Sequence, residues 1–501
     1  MGSKKIGLFF GAGAEMAYGL PSGGEFALDI FRQDISGPKR KFKEILRTID
    51  SRSQYASKWL PDNYQTRPIS TFGKNQYEQL VISSLEYKRQ AIIDFLNNFD
   101  NFANKIKDDF CQEGIRINDR FKSVMEKDIG TVVFSHDIKL NEALGSIKLF
   151  ESIFFSGLLQ ILEKKAGDPQ YADLKKIVKS FIELLIGAIG EDFLYRINDS
   201  IFEKRPDSID IFDDFCGFFK FDYNKITGLD LILDEPMEAV SASASDAKII
   251  TLFAKKLLEK IFTIALDYQS LIDSSYRYLF SPKTDWAKFC KISIFLMCVK
   301  DYLVAKAEEQ RSKIVEQEGF YQDIKKLSSG ATIEAIGTTN YNNFIESVDN
   351  SLSVIYLNGS VNDEYDPYKN TIISRHDENT AALTTPHITV PFLFTQSGIK
   401  PLTSITMSER YVSLYNKFSD CDIIAVIGFG FNADDGHING LFRELIEKRK
   451  KVIIFSYKNN NIDEYKEKLR IDSSCNMQII SIDDNRKANN KLWTKFLLES
   501  L

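Results

Sequence analysis

Short apolar runs, bounded by glycine and polar residues, occur at the beginning of the chain and again in its last third. The first run covers residues 5–10. The later runs cover residues 332–338, 353–357, 422–431, 451–457 and 477–482. Their length and content of β-branched residues predict buried strands, and the helical stretches between them predict a parallel α/β sheet.

Between residues 25 and 330 the apolar positions instead follow a helical period. One set recurs at a spacing of three or four, which predicts a single helix face. Its members are Ile92, Phe95, Leu96, Phe99, Phe102, Ile106 and Phe110. Further helical patterns cover residues 144–163, 171–189, 248–275 and 287–307, and polar breaks at 234–246 and 328–330 predict loops. We therefore expect one α/β domain, formed by residues 1–36 and 331–501, that is split by a large helical insertion of residues 37–330.

Composition narrows the class of protein. Lysine and arginine (64) nearly balance aspartate and glutamate (70), so direct nucleic-acid binding is not indicated. Six cysteines occur without any C-x-x-C pair, which argues against a zinc ribbon, another metal site or a disulfide framework. Neither a signal-peptide pattern nor an apolar run of membrane-spanning length is present, so we expect a cytoplasmic protein without membrane attachment.

A glycine-rich loop follows the first apolar run. Gly11 and Gly13 match the first two glycines of a dinucleotide-binding fingerprint, but Met16 stands in the third place and the next glycine is Gly19. Such glycines allow a tight turn and a close approach to a pyrophosphate. A tight strand-to-helix turn without a ligand is the alternative.

Two polar stretches follow predicted strands in the last third. Thr338, Thr339 and Asn340 stand at the carboxyl end of a strand, where open α/β sheets bind their ligands. The Asn340 amide can donate to and accept from a ribose hydroxyl or a water, although it could instead cap the next helix. Asn358-Gly359 follows the next strand, but it is also a common turn dipeptide.

A second glycine turn, Gly428-Phe429-Gly430, ends the most apolar of the predicted strands. It exposes backbone in the way that a second contact region for the same nucleotide requires. The polar loop after it includes Asn432 and His437. His437 is either a general base or a histidine that faces solvent.

Taken in order, these four stretches resemble motifs of the sirtuin (SIR2-like) family. Residues 11–21 are similar to its G-A-G-x5-G-[IL]-P loop, and residues 338–342 to its T-x-N-[YI]-D motif. Residues 357–360 are similar to L-H-G-[SD], and residues 428–430 lie where the family has a glycine-rich turn that contacts NAD. The resemblance implies a SIR2-like, Rossmann-like parallel sheet around the helical insertion.

The branch of this family found in bacterial antiphage systems is the most similar. The resemblance implies hydrolysis of NAD+ to nicotinamide and ADP-ribose, with NAD+ as substrate and no metal, so that an infected cell loses its NAD+. It also implies a second defence-system protein that acts as sensor or activator, and assembly into a homo-oligomer.

Roles for individual residues follow from the same resemblance. Gly11, Ala12 and Gly13 would line the pyrophosphate, and Asn340 would position the nicotinamide ribose or the attacking water. Ser456 and Tyr457 would touch the adenosine end. The complete implied NAD+-binding set is Gly11, Ala12, Gly13, Glu15, Pro21, Thr338, Thr339, Gly428, Phe429, Asn432, Ser456 and Tyr457.

The chain departs from the family pattern in two places. Asn358 stands where the family has a histidine that acts as base, and Asn342 stands where it has an aspartate. An asparagine cannot accept a proton near neutral pH. Either hydrolysis persists, because positioning and electrostatics stabilise the oxocarbenium-like transition state so that a strong base is not obligatory, and His437 or a partner residue could also supply one. Or the protein binds NAD+ without efficient turnover as a sensor or scaffold subunit.

Overall fold

The computed structural model describes most of the chain. The described residues are 4–21, 23–85, 88–131, 148–189, 226–233, 241–265, 268–374, 386–393, 404–432, 435–457, 461–472 and 476–501. They form two compact units. Unit 1 comprises Met1–Ser22, Gln33–Thr71 and Gln269–Leu501, and unit 2 comprises Gly23–Arg32 and Phe72–Tyr268. Residues 144–147 of a predicted helix and 234–240 of a predicted loop lie outside the described residues.

Strands occur in unit 1. In chain order they are β1 (Lys5–Phe10), β2 (Thr332–Thr338), β3 (Val354–Tyr356), β4 (Gly359–Asp366), β5 (Thr371–Ser374), β6 (Val390–Leu393), β7 (Ile423–Ile427), β8 (Lys451–Tyr457), β9 (Met477–Ile482), β10 (Lys487–Ala488) and β11 (Lys491–Leu492).

Six of these strands form a parallel sheet in the order β3-β2-β1-β7-β8-β9. This is the order of a doubly wound, Rossmann-type sheet. The strand order runs outward in opposite directions from the two central strands, so the switch point lies between them. The predicted Rossmann-like parallel sheet is therefore confirmed. Strands β1 and β7 lie at its centre, on the two sides of this switch point.

Strand β1 shows why this sheet is covered on both faces. Ile6, Leu8 and Phe10 pack into the core on one face, and Phe9 packs into the core on the other. All four side chains are fully buried. A continuous apolar run, rather than an alternating one, is what a central parallel strand with helices on both sides requires.

The helices, in chain order, are α1 (Ala12–Met16), α2 (Gly23–Phe31), α3 (Ser36–Thr48), α4 (Gln54–Trp59), α5 (Lys74–Leu85), α6 (Arg89–Asn97), α7 (Phe99–Gln112), α8 (Ile117–Met125), α9 (Ile153–Lys164), α10 (Ala172–Ile189), α11 (Leu229–Leu233), α12 (Asp246–Ala265), α13 (Tyr268–Tyr276), α14 (Trp286–Glu316), α15 (Phe320–Asp323), α16 (Phe344–Val348), α17 (Ile405–Ser419), α18 (Gly436–Glu447), α19 (Ile462–Leu469) and α20 (Trp493–Glu499).

Unit 2 is helical in its described residues, and α12 packs against α8 and α10. A group of phenylalanine rings fills part of its core, with Phe253 in contact with Phe110, Phe121 and Phe154. Edge-to-face contacts of this kind add to the burial of the rings themselves.

The prediction of one continuous helix face over residues 92–110 is wrong. The segment forms two helices, α6 and α7, that meet at Asn98. The Asn98 side-chain amide donates to the Asp94 carbonyl, 2.8 Å away, and so satisfies a group at the end of α6. Asparagine favours helix ends for this reason, and apolar spacing alone does not detect the break.

The structure differs from the sequence-based prediction at other places too. The strand predicted at 422–431 ends at Ile427, because the chain turns at Gly428. Two residues of the loop predicted at 328–330 belong to a 3-10 helix, Ile324–Ser329. An antiparallel sheet of β5-β4-β6 was not predicted. Strand β4 reads GSVNDEYD, whose polar residues conceal its strand character.

Within the described residues, no helix combines the length and the apolar character that crossing a bilayer demands.

Candidate functional site

Two glycine loops meet at the carboxyl edge of the parallel sheet, at its switch point. The Gly11 N–H donates to the Ile427 carbonyl, 2.9 Å away, and the Gly13 N–H donates to the Gly428 carbonyl, 2.8 Å away. The loop after β1 is thereby bonded to the loop after β7. Open α/β sheets bind ligands in the crevice at this position.

Glycine is needed here because the two backbones touch. Gly428 has φ +68°, and a Cβ built on it would lie 2.2 Å from the Ala14 nitrogen. A Cβ on Gly11 would lie 2.6 Å from the Gly428 oxygen. These clashes are with backbone atoms, which cannot rotate away. The glycines therefore serve the joint between the loops, whatever ligand the loops hold.

We expect Gly428→Ala to destabilise the protein by about 2–4 kcal/mol, because it combines a left-handed backbone with a backbone clash. Thermal unfolding measures the change. Gly430→Ala is the matched control, since the nearest atom to its Cβ would be Asn432 Oδ1 at an ordinary 3.4 Å. Equal melting temperatures for the two variants would contradict the claim that the contact between the two glycine loops requires glycine at position 428.

Ala12 is the residue of the first glycine loop whose backbone N–H is available to a ligand. The N–H groups of Gly11 and Gly13 are used within the protein, whereas Ala12 is exposed and no acceptor for its N–H lies among the described residues. It is the first residue of α1, where a backbone N–H has no partner within the helix. Of the predicted pyrophosphate contacts, Ala12 therefore offers a free backbone donor.

Asn340 is buried just after β2, and three hydrogen bonds hold it in place. Its Nδ2 donates to the Gly11 carbonyl and to the Tyr321 hydroxyl, each 3.1 Å away. Its backbone N–H donates to Thr338 Oγ1, 3.0 Å away, and that hydroxyl donates to the Phe10 carbonyl at 2.9 Å. The alternative in which Asn340 caps the next helix is wrong, because Asn343 holds that position.

Both amide hydrogens of Asn340 are thus used, which fixes Oδ1 on the opposite side of the carboxamide. Among the described residues, no group donates to this oxygen. An acceptor oxygen held in this way can receive a hydrogen bond from a hydroxyl or a water.

Glu15 and Tyr321 continue the cluster behind Asn340. The Tyr321 hydroxyl donates to Glu15 Oε1 at 3.0 Å, and Asn342 Nδ2 contacts Glu15 Oε2 at 3.5 Å. Burial raises the pKa of Glu15 to about 7, against the opposing effect of the hydrogen bonds from Tyr321, Asn342 and Asn340. Burial likewise raises the pKa of Tyr321, so its hydroxyl stays protonated.

Sequence reasoning did not find Tyr321. It lies on α15, a four-residue helix before β2, and no motif surrounds it. Its ring packs edge-on against Phe10 and is stacked on Tyr18, with centroids 5.3 and 5.4 Å away. The Tyr18 hydroxyl also accepts from the Tyr321 backbone N–H at 2.9 Å. Only the tertiary packing brings this hydroxyl to Asn340.

Asn358 occupies the matching position on the neighbouring strand. Thr338 of β2 is in register with Tyr356 of β3, so Asn340 and Asn358 each lie two residues beyond a paired position. Adjacent strands are about 4.8 Å apart, which places the two backbones side by side. Asn358 is buried. Gly359, which follows it, has φ +80°, and its Cβ would strike the Phe392 carbonyl.

His437 is half-buried in the first turn of α18. Its ring lies edge-on to Tyr411, with centroids 6.5 Å apart. The Tyr411 hydroxyl in turn donates to the Leu357 carbonyl, 3.5 Å away. The Tyr411 side chain therefore links His437 to the Leu357 carbonyl, and Asn358 is the residue after Leu357. The structure thus places His437 on the Asn358 side of the site.

The second glycine loop presents backbone and one exposed side chain to the site. The Phe429 ring is buried and packs edge-on against Phe9 and Phe431, with centroids 5.2 and 4.9 Å away. Its side chain is thus part of the core. Asn432 is exposed, and its carbonyl accepts from Asn439 Nδ2 at 2.8 Å.

The remaining predicted residues lie along the same edge of the sheet. The Thr339 N–H donates to the Phe10 carbonyl at 3.1 Å, and Pro21 is partly buried after the first loop. Ser456 Oγ accepts from the Tyr465 hydroxyl at 2.9 Å, whereas Tyr457 is 56% exposed and bonded to Asp484. Ser456 and Tyr457 end β8, one strand beyond the switch point.

In the part of the chain that the structure describes, no group of three or more histidine, cysteine, aspartate and glutamate side chains is arranged to hold a metal ion.

No protein-family model matches the chain, and no curated protein matches its sequence significantly. Its structural neighbours include Sir2 homologues. One is a Sir2 homologue in complex with NAD, at 10% identity over 40% of this chain and 70% of that chain, with a TM-score of 0.26.

A second solved structure is Sir2 in complex with the inhibitor EX-527, 2'-O-acetyl-ADP-ribose and a deacetylated p53 peptide. It is 16% identical over 35% of this chain and 80% of that chain, with a TM-score of 0.23. The assignment of a Rossmann-like fold rests on the strand order of the sheet itself.

Proposed function

We propose that this protein is an NAD+ hydrolase that releases nicotinamide and ADP-ribose. One observation carries the proposal: the Asn340 carboxamide is held rigidly beside the glycine loop, with its Oδ1 unused among the described residues. This is the residue, and the place at the carboxyl edge of the sheet, that the sirtuin-like motifs assign to the nicotinamide ribose or the attacking water.

The chemistry suits a site without a strong base. The bond between the ribose C1' and the nicotinamide nitrogen breaks, its electron pair leaves with nicotinamide, and a water oxygen bonds to C1' while the water releases a proton. The transition state resembles an oxocarbenium ion, which positioned dipoles stabilise. The Asn340 Oδ1 is a suitable acceptor to orient that water or a ribose hydroxyl.

Asn358 cannot receive the released proton near neutral pH. Of the histidines in the described part of the chain, His437 is the candidate, because its ring packs on Tyr411, whose hydroxyl bonds to the Leu357 carbonyl beside Asn358. A neutral imidazole has one nitrogen that can accept a proton. We assign His437 the role of proton acceptor within this proposal.

We extend the proposal to the biological role of NAD+ hydrolysis and to its control. The resemblance to the antiphage branch supports depletion of cellular NAD+ during infection, with activity controlled by a second defence protein or by homo-oligomerisation. Replacement of the family histidine by Asn358 favours such control, because a slow isolated enzyme spares the cell until it is activated.

The second candidate function is NAD+ binding without turnover. It is favoured by the presence of an asparagine, Asn358, where the sirtuin-like motif has a histidine. The two functions differ in their products. Incubation of the purified chain with NAD+, alone and with the proteins encoded beside it, should release nicotinamide and ADP-ribose that mass spectrometry detects. Calorimetric NAD+ binding with no product in any mixture would replace the hydrolase by the binding protein, and neither binding nor product would reject both.

A further inference from the structure

The cluster behind Asn340 contains a buried acid that the proposed reaction does not use. Glu15 lies on α1 and acts on Asn340 through the Tyr321 hydroxyl, in addition to its own side-chain hydrogen bond with Asn340. We propose that Glu15 and Tyr321 form a positioning pair whose charge state controls how firmly the Asn340 carboxamide is held, and hence the activity of the site. This inference rests on the proposed NAD+ hydrolysis.

The direction of each hydrogen bond carries the argument. With Glu15 ionised, the Tyr321 hydroxyl must donate to Glu15, because a carboxylate accepts only. The lone pairs of Tyr321 then face Asn340 and accept from Nδ2. A charge-assisted bond is roughly twice as strong as a neutral one, and it polarises the next bond in the chain. Ionised Glu15 therefore holds Asn340 firmly.

Protonation of Glu15 weakens this arrangement at either oxygen. A proton on Oε1 removes the acceptor of Tyr321, whose hydrogen then competes with the Asn340 amide. A proton on Oε2 leaves a neutral carbonyl, which is a weaker acceptor. Asn342 is placed to accommodate that proton, because its Oδ1 is buried and lacks a hydrogen-bond partner among the described residues.

The surroundings of Glu15 place its ionisation in the physiological range. The groups that face it are Tyr321, Asn340 and Asn342, with the hydroxyls of Tyr18 and Tyr356 close enough for the Glu15 charge to raise their pKa. No cation contributes to the environment of Glu15 among the described residues. Burial consequently dominates and raises the pKa of Glu15 to about 7.

The test compares the pH dependence of kcat/KM for NAD+ in the full-length wild type and in Glu15→Gln. For the wild type we expect a rise of about tenfold through neutral pH, the factor by which a charged and a neutral hydrogen bond differ. Glutamine presents a permanently neutral acceptor. Glu15→Gln should therefore lose this tenfold component, keep the pH dependence that the proton acceptor His437 contributes to both proteins, and match the wild type on the acid side.

Tyr321→Phe should lose the part of this component that its hydroxyl transmits, and the double variant should lose no more than Glu15→Gln alone. A kcat/KM profile of Glu15→Gln that equals the wild-type profile at every pH would overturn the proposal. So would an equal loss at every pH, which indicates a merely structural role. A loss above about a hundredfold at every pH would make Glu15 a reacting group instead.

A measurement that does not require turnover tests the Glu15–Tyr321 pair separately from NAD+ hydrolysis. In protein labelled with 15N-asparagine, the side-chain resonance that Asn340→Ala removes should move with pH near neutrality in the wild type and stay fixed in Glu15→Gln. Movement without any NAD+ cleavage would reject the hydrolase and retain the pair. An immobile wild-type resonance would reject the pair, whether or not NAD+ is cleaved.

Discussion

Asn340→Ala is expected to lower the kcat for NAD+ cleavage at least about a hundredfold, the loss that follows removal of one preorganised polar group from an active site. The carboxamide is fixed by bonds to the Gly11 carbonyl and the Tyr321 hydroxyl, so it is oriented before any ligand arrives. NAD+ binding should change much less than kcat, because the glycine loops are untouched. Product assays and calorimetry measure the two effects separately.

Asn343→Ala is the control for this variant. Asn343 is a neighbouring asparagine at the start of α16, and its side chain makes no capping hydrogen bond. Its removal should leave both kcat and the melting temperature close to wild type. An Asn340→Ala protein that remains folded and keeps a third of its kcat would remove Asn340 from the reaction.

Asp323→Ala should destabilise the protein by about 3–5 kcal/mol, because it removes the buried carboxylate that accepts from the mostly buried Arg486 guanidinium and from the buried Trp493 N–H. Asp323 is fully buried, and its Oδ2 accepts from Arg486 Nε at 2.8 Å and from Trp493 Nε1 at 3.0 Å. It lies on α15 with Tyr321, so its loss should also loosen the support of Asn340. Denaturant unfolding gives the energy, and kcat reports the effect on the site.

Lys326→Ala separates the buried contacts of Asp323 from its exposed one. Lys326 also pairs with Asp323, at 2.9 Å, but its side chain is 50% exposed. Exposed ion pairs contribute about 0–1 kcal/mol, so this variant should unfold nearly as the wild type does. Similar losses for the two variants would show that the buried bonds to Arg486 and Trp493 do not govern stability.

The pattern of apolar residues was sufficient to predict the central parallel sheet. It was not sufficient to predict the antiparallel sheet of β5, β4 and β6. Strands β2, β8 and β9 have the bounds that the sequence predicts, because each carries isoleucines in a short run bounded by polar residues. Strand β4 consists mostly of polar and charged residues, and its strand form depends on pairing with β5 and β6. A strand with so few apolar residues shows no apolar run or alternation in the sequence.

The same distinction applies to the candidate site. The motifs located Gly11, Gly428 and Asn340 because they lie where buried strands end. They gave Glu15 no individual role and did not find Tyr321, since the contact of these two depends on how α15 packs beside β1. A hydroxyl that orients another side chain has no characteristic spacing in the sequence.

The central position of β1 has a consequence for biosynthesis. This strand is made first, yet its partners β2 and β7 begin at Thr332 and Ile423. At the usual rate of translation, roughly 15–60 s pass before the ribosome reaches β2. During this interval the apolar segment Lys5–Phe10 has no strand to pair with. Shielding by a chaperone or by the nascent helices would therefore govern the yield of folded protein, and chains that stop before β7 should aggregate.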